Sequence, residues 1–240
     1  MKRIAIVAAL PGELKSLVRN WKHEHRNGVD LWRWCFDEGE WVAACAGAGQ
    51  QAATRAFAEV ESGGPVTCVI SVGWVGALTV EAEPGKTYTV SSVIDSLTGE
   101  RFQTTRWSSE TLLVTCPRVA DAEEKQRLAS AYHASLVDME AAAVARLASM
   151  RGVPFFCFKG VSDGFAEKLP DFNRFLTQDG QFRLGRLLLY VLPRPWHWPA
   201  LVRMGENSKQ ASQSIADCLI DFLDERGHIR KRNGYPNLEP

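Results

Sequence analysis

Apolar and β-branched residues gather in short runs without clean alternation, the pattern of strands buried on both faces. These runs predict strands near 3–9, 31–37, 41–46, 67–73, 87–94, 111–116, 134–138 and 154–160. Helical spacing between them predicts helices at about 11–22, 49–62, 121–131 and 139–151, then longer helical stretches at about 172–191 and 208–226. Alternating strand and helix gives the expected fold class: α/β, a single domain with a central mixed β-sheet flanked by helices. The segment Leu31-Trp32-Arg33-Trp34-Cys35-Phe36-Asp37-Glu38-Gly39-Glu40-Trp41 reads as two strands joined by an acidic glycine turn. Part of the sheet is therefore antiparallel, which argues against a pure dinucleotide-binding topology.

A chain of 240 residues suffices for one compact unit, expected over 1–228 with a loose tail over 229–240. The apolar run Ile4–Leu10 behind Met1-Lys2-Arg3 has the outline of a signal peptide, but Pro11-Gly12-Glu13 cuts it short. No stretch nears the roughly 20 apolar residues of a membrane span, so the run is expected to be the first core strand and no integral membrane segment is expected.

Lys plus Arg (28) equals Asp plus Glu (28), so no long-range positive field collects nucleic acid or anionic membrane. A small or neutral ligand fits better. Cys35, Cys45, Cys68, Cys116, Cys157 and Cys218 are scattered, with no metal-ligand spacing against the five histidines. They read as buried thiols of a reducing compartment, hence a cytoplasmic protein with no metal.

Four segments carry candidate chemistry. Cys45-Ala46-Gly47-Ala48-Gly49-Gln50 runs from a strand through a glycine turn into a helix, where backbone N–H groups can meet a ligand. It lacks the third glycine of a dinucleotide fingerprint and any P-loop lysine, so a plain tight turn explains it equally well. In Ile70-Ser71-Val72-Gly73-Trp74-Val75-Gly76 a buried strand ends in two glycines, at the end of an α/β sheet where ligands gather. Val137-Asp138-Met139-Glu140 puts a carboxylate at a strand-to-helix junction, suited to a vicinal diol or simply to the helix dipole. Phe155-Phe156-Cys157-Phe158-Lys159-Gly160-Val161-Ser162-Asp163 places an acid just past an apolar strand, where it serves either as proton donor or as turn former.

Taken in order with the opening Ile4-Ala5-Ile6-Val7-Ala8-Ala9-Leu10-Pro11-Gly12-Glu13, these segments resemble the nucleoside phosphorylase and nucleosidase superfamily, within it most closely the methylthioadenosine/S-adenosylhomocysteine nucleosidases. The resemblance covers residues 1 to about 165. It implies N-glycosidic bond cleavage in a purine nucleoside, without a cofactor, by a homodimer or higher homo-oligomer. It casts Asp163 as general acid oriented by Ser162, Glu140 as holder of the ribose hydroxyls, Met139 as packing under the sugar, and Glu13 as the water-activating carboxylate. Gly47, Gly73 and Trp74 fall on the substrate-binding turns. Superfamily phosphorylases carry an arginine and a serine around the glycine turn that here reads Ser71-Val72-Gly73-Trp74, so water is the expected nucleophile and phosphorolysis the alternative. Arg55 is expected to face solvent rather than phosphate.

Two departures mark the chain. Thr115-Cys116-Pro117-Arg118 replaces the family's purine-stacking segment, which leaves stacking to Phe156, Phe158 or a later insertion. After Asp163 the chain resembles hopanoid-associated members, and Pro193–Leu201 is expected either to line an entrance for an apolar 5′ group or to connect helices or contact a second copy. His133 and His197 have no partner pattern and are not expected to be catalytic. A non-catalytic nucleoside-binding protein is the remaining alternative, weakened by the retention of three acids whose like charges cost stability in one pocket.

Overall fold

The computed structural model describes residues 2–36, 39–105 and 110–225. The expected tail and the acidic tip Asp37-Glu38 of the hairpin lie outside them. Eleven strands form one mixed sheet: β1 (Lys2–Ala8), β2 (Lys22–Arg26), β3 (Val29–Phe36), β4 (Gly39–Cys45), β5 (Cys68–Ala77), β6 (Thr87–Thr89), β7 (Ser92–Asp95), β8 (Arg101–Gln103), β9 (Leu112–Thr115), β10 (Leu136–Asp138) and β11 (Phe155–Asp163). The helices are α1 (Pro11–Leu14), α2 (Gln50–Glu61), α3 (Ala122–Tyr132), α4 (Ala141–Arg151), α5 (Leu184–Val191) and α6 (Trp198–Glu225). Strands lie in the order β2-β3-β4-β1-β5-β10-β9-β7-β8, with β11 paired to both β5 and β6. The fold is the expected single-domain α/β arrangement, and β3 and β4 form the expected antiparallel hairpin.

Helices cover both faces of the sheet. On one face α2 and α4 bury Ala52, Ala53, Ala56, Phe57, Val60 and the alanine-rich stretch from Ala141 to Ala148 against β1, β4 and β5. Small side chains there let the helix backbones approach the sheet closely. On the other face Ile215, Leu219, Phe222 and Leu223 of α6 pack on Ile6, Ile70, Phe156 and Phe158.

Several boundaries differ from expectation for local reasons. The helix expected over 11–22 ends at Leu14; Leu17, Val18 and Trp21 are still buried, but from irregular turns. Strand β2, Lys-His-Glu-His-Arg, is an edge strand with polar residues on both sides, which leaves no hydrophobic signal to read. The run 87–94 splits into β6 and β7. The helix expected over 172–191 is a 3-10 turn at Phe172–Phe175, a turn through Gly180 (φ 79°) and then α5. Helix α6 begins ten residues before the expected 208, because Pro199 falls in the first turn, where a missing N–H costs nothing. Cys45, Cys116 and Cys157 are buried as expected, whereas Cys35 is exposed and Cys68 and Cys218 are half-buried. No described helix is long and apolar enough to cross a membrane.

The Phe156 ring lies 4.7 Å from that of Phe222 and is almost wholly enclosed. Phe156→Ala is expected to cost about 3–5 kcal/mol of stability through lost burial and a residual cavity. A urea titration would check this, and a change under 1 kcal/mol would remove Phe156 from the core.

Candidate active site

Strand β5 is shared unequally by its neighbours. β1 runs parallel to it from Cys68 to Ser71, and β10 pairs antiparallel only at Gly76 and Ala77. On that edge residues 72–75 have no strand partner among the described residues, while β11 continues along the other edge. Beside the gap lies a cavity of about 620 Å³ lined by Glu13, Trp74, Met139, Glu140, Ser162 and Asp163, among others. Six of the nine sequence-predicted site residues therefore meet in one place.

Glu13 arrives from the turn after β1, which ends level with the gap. Its Oε2 accepts from the Ala9 and Leu10 N–H groups at 2.7 and 2.9 Å, and its Oε1 from the Trp74 N–H at 2.8 Å. It thus satisfies a backbone donor that a continuous sheet would have paired. Burial pushes the Glu13 carboxyl up; these backbone hydrogen bonds and the nearby Lys159 charge pull against it. Gly73 borders the same carboxylate: a Cβ there would sit 3.0 Å from Oε1, and its φ of 146° suits glycine. The next residue, Trp74, lays its ring against Gly12, where an added Cβ would come within 2.8 Å, and its Nε1 donates to Ser212 Oγ on α6 at 2.9 Å. Trp74 therefore occupies space beside Glu13.

Met139 and Glu140 follow β10. Glu140 Oε1 accepts from the Gly49 N–H at 2.5 Å and Oε2 from the Met139 N–H at 3.2 Å. Burial, with the neighbouring Asp138 carboxylate and the Glu13 charge, pushes its carboxyl up to about 8, against the pull of Lys159 and the Gly49 N–H. Asp138 is a structural hub: Oδ2 meets Lys159 Nζ at 2.9 Å and caps α4 through the Ala141 N–H, and Oδ1 accepts from Thr115 Oγ1 at 2.7 Å. Burial disfavours the Lys159 ammonium, yet Asp138 and Glu140 outweigh it and raise its pKa.

Ser162 and Asp163 sit at a register shift in β11 between Val161 and Asp163. A bulge of this kind re-aims side chains at a strand end. Ser162 Oγ donates to Asp163 Oδ1 at 2.7 Å, and Asp163 Oδ2 is ion-paired with Lys125 Nζ, which also donates to the Gly164 carbonyl at 2.9 Å. Lys125 was not legible in the sequence: it lies in the charged run Glu123-Glu124-Lys125-Gln126-Arg127 of α3, yet its side chain is enclosed and lines the cavity.

Other expected positions are placed elsewhere. Phe156 faces α6 in the core, so it does not stack on a base, and the same holds for Phe158, whose ring lies 5.4 Å from Phe222. Gly47 donates to the Ala9 carbonyl at 3.0 Å and is roofed by Gly180, whose carbonyl oxygen would lie 2.6 Å from a Cβ at Gly47; Ala48 lines the cavity instead. Arg55 does not face open solvent: it donates to the carbonyls of Ala46 and Asp179, fastening the same roof. In the replaced purine-stacking segment, Arg118 and Val119 line the cavity, and the Val119 backbone is clasped at both its N–H and C=O by Asn173. His133 ends α3 in a left-handed conformation and His197 packs by Tyr190; neither lines the cavity.

A model described as the phosphorylase superfamily matches residues 97–192. The chain superposes on Helicobacter pylori 5′-methylthioadenosine/S-adenosylhomocysteine nucleosidase bound to butyl-thio-DADMe-Immucillin-A with a TM-score of 0.70 at 16% identity, covering 94% of this chain and 99% of that one. Futalosine hydrolase of H. pylori strain 26695 gives 0.71 at 15% identity, covering 93% and 98%. The 5′-methylthioadenosine nucleosidase of Arabidopsis thaliana in its apo form gives 0.70 at 16%, covering 97% and 98%. No curated protein matches the chain in sequence. The resemblance read from the ordered motifs holds: the chain carries the fold of the nucleoside phosphorylase and nucleosidase superfamily.

Glu140 holds its proton to about pH 8 when folded, against 4.5 for the free side chain, so folding takes up a proton between these values. The stability this adds is full below about 4.5 and lost as pH climbs through about 8. Glu140→Gln, which has no proton to lose, is expected to gain on wild type in urea midpoint between about pH 5 and about pH 9. A difference that stays flat over that range would refute the raised pKa. Lys125→Met is expected to cost about 3–5 kcal/mol by stranding the Asp163 carboxylate, with thermal unfolding as the measurement.

Proposed function

We propose that the protein is a purine nucleosidase that hydrolyses the N-glycosidic bond of an adenosine-type nucleoside modified at its 5′ position. The observation that carries this reading is the convergence of Glu13, Glu140 and Asp163 on one cavity, each held by different elements. Cleavage builds positive charge on the ribose and negative charge on the departing purine, so it needs an acid at the base, acceptors at the sugar hydroxyls and a base for water. Asp163, a carboxylate ion-paired with Lys125, takes up a proton from solvent as the substrate binds and gives it to the purine nitrogen as the C–N bond breaks; Lys125 and Ser162 then hold the carboxylate that re-forms. Glu140 accepts from the ribose hydroxyls above Met139. Glu13, locked as an acceptor by three N–H groups, orients water toward the anomeric carbon and takes its proton. The products are the free base and the 5′-modified ribose.

Water is favoured over phosphate by what surrounds Glu13. A dianion needs cationic or hydroxyl donors, whereas the space beside the carboxylate is taken by the Trp74 ring, and Arg55 is engaged by two carbonyls. The modified 5′ position is supported by the far side of the cavity, where Phe172, Leu176, Phe182, Leu187, Leu201 and Met204 make an apolar wall.

The test is adenine release from methylthioadenosine, S-adenosylhomocysteine and adenosine, each with and without phosphate. Release is expected without phosphate; strict phosphate dependence would make the protein a phosphorylase, and binding without release would make it a nucleoside-binding protein. Asp163→Asn is expected to lower kcat by about 10²–10⁴-fold with little change in KM. Unchanged turnover would take the general-acid role from Asp163.

A further inference from the structure

The wall that lines the cavity has an outer side. Leu187 and Val191 of α5 point inward; Leu184, Leu188 and Leu192 recur every fourth residue along the flank beside them, and Leu189 lies on the opposite side. These four are 57%, 55%, 69% and 76% exposed; the following turn adds Trp196 at 69% and the start of α6 adds Val202 at 60%. Trp198 is half exposed, and its Nε1 donates to the Val191 carbonyl at 2.9 Å, which fixes the turn against the end of α5. Scattered exposed apolar residues need no explanation; seven within the stretch from Leu184 to Val202, on α5, the turn after it and the start of α6, do.

The charge of this segment is equally one-sided. Between Gly180 and Gly205 stand Arg183, Arg186, Arg194 and Arg203 and no acid, within a chain whose total charge is zero. Arg183 and Arg186 are exposed and make no ion pair with a described residue; Arg203 reaches Glu167 at 3.3 Å, and Arg194 stacks on Tyr190. The balance that excludes a long-range field therefore hides a local basic rim around an apolar face.

We propose that the outer face of α5 and of the turn into α6 docks on an anionic lipid membrane surface, with the leucines and Trp196 at the acyl boundary and the arginines at the headgroups. Apolar side chains flanked by tryptophan and arginine match the layering of a membrane interface. The charge pattern selects this occupant over a second copy of the chain: a two-fold contact would bring both sets of arginines together with no acid of the segment to meet them. Because Leu187 and Leu201 line the cavity from the same elements, docking would bring the apolar side of the cavity close to the lipid. The inference does not rest on the reaction proposed above.

Flotation of the full-length protein with vesicles of phosphatidylcholine, alone or mixed with phosphatidylglycerol, tests it. Binding to the anionic vesicles is expected to exceed that to neutral ones by about tenfold or more at low salt and to fall as salt rises. Arg183→Glu with Arg186→Glu is expected to lower it by about tenfold or more. Leu189→Glu with Trp196→Glu is expected to abolish it while leaving the circular dichroism spectrum unchanged; if that pair fails to fold, Leu192→Gln with Trp196→Gln reads the same loss. Absence of wild-type binding to anionic vesicles, or binding that the apolar substitutions leave intact, overturns the proposal. So does a wild-type dimer that ignores vesicles and splits on Leu189→Glu with Trp196→Glu, which would assign the face to a second copy.

Discussion

The interrupted pairing of β5 is the constraint on which the site depends. A strand flanked along both edges would leave no room for a ligand, and one released altogether would expose backbone groups at a cost. Here β1 stops and β10 starts too far apart to meet, and Glu13 takes the N–H of Trp74 that the gap leaves over. One side chain thus completes the sheet and stands ready in the cavity. The cavity is accordingly built at strand ends and held by their geometry.

Around the gap the interior holds more acid than base. Asp138, Glu140, Glu13 and Asp163 are buried against only Lys159 and Lys125. Asp138 and Lys159 satisfy each other, with Thr115 and the start of α4 filling the remaining hydrogen bonds, as a desolvated pair requires. Lys125 does the same for Asp163. Glu140 has no cation of its own, and its raised pKa follows from burial and from this shortage of positive charge. The excess acid destabilises the empty protein where a ligand's hydroxyl groups could relieve it.

The sequence was legible where signals were local. Buried runs without alternation mark β1, β4, β5 and β11, and the order of short motifs singles out Glu13, Glu140 and Asp163. Strand β2 escaped because an edge strand with two polar faces carries no hydrophobic period. Lys125 escaped because its neighbours in sequence are charged and solvated, and only the packing of α3 turns it inward. Phe156 differs from expectation because an aromatic residue near the end of a buried strand looks the same in sequence whether it faces a ligand or, as here, Phe222. A balanced total charge excludes a long-range field but says nothing of how charge is distributed locally.

The roof over the first glycine turn is made of peptide groups. Ala48 donates to the Gly180 carbonyl at 2.8 Å, and side chains at either glycine would collide with the backbone of the other segment. Such a clasp is made of backbone on both sides and is indifferent to nearly every neighbouring side chain. It depends on two missing side chains, at Gly47 and Gly180, and a methyl group at either would force the covering loop into another shape.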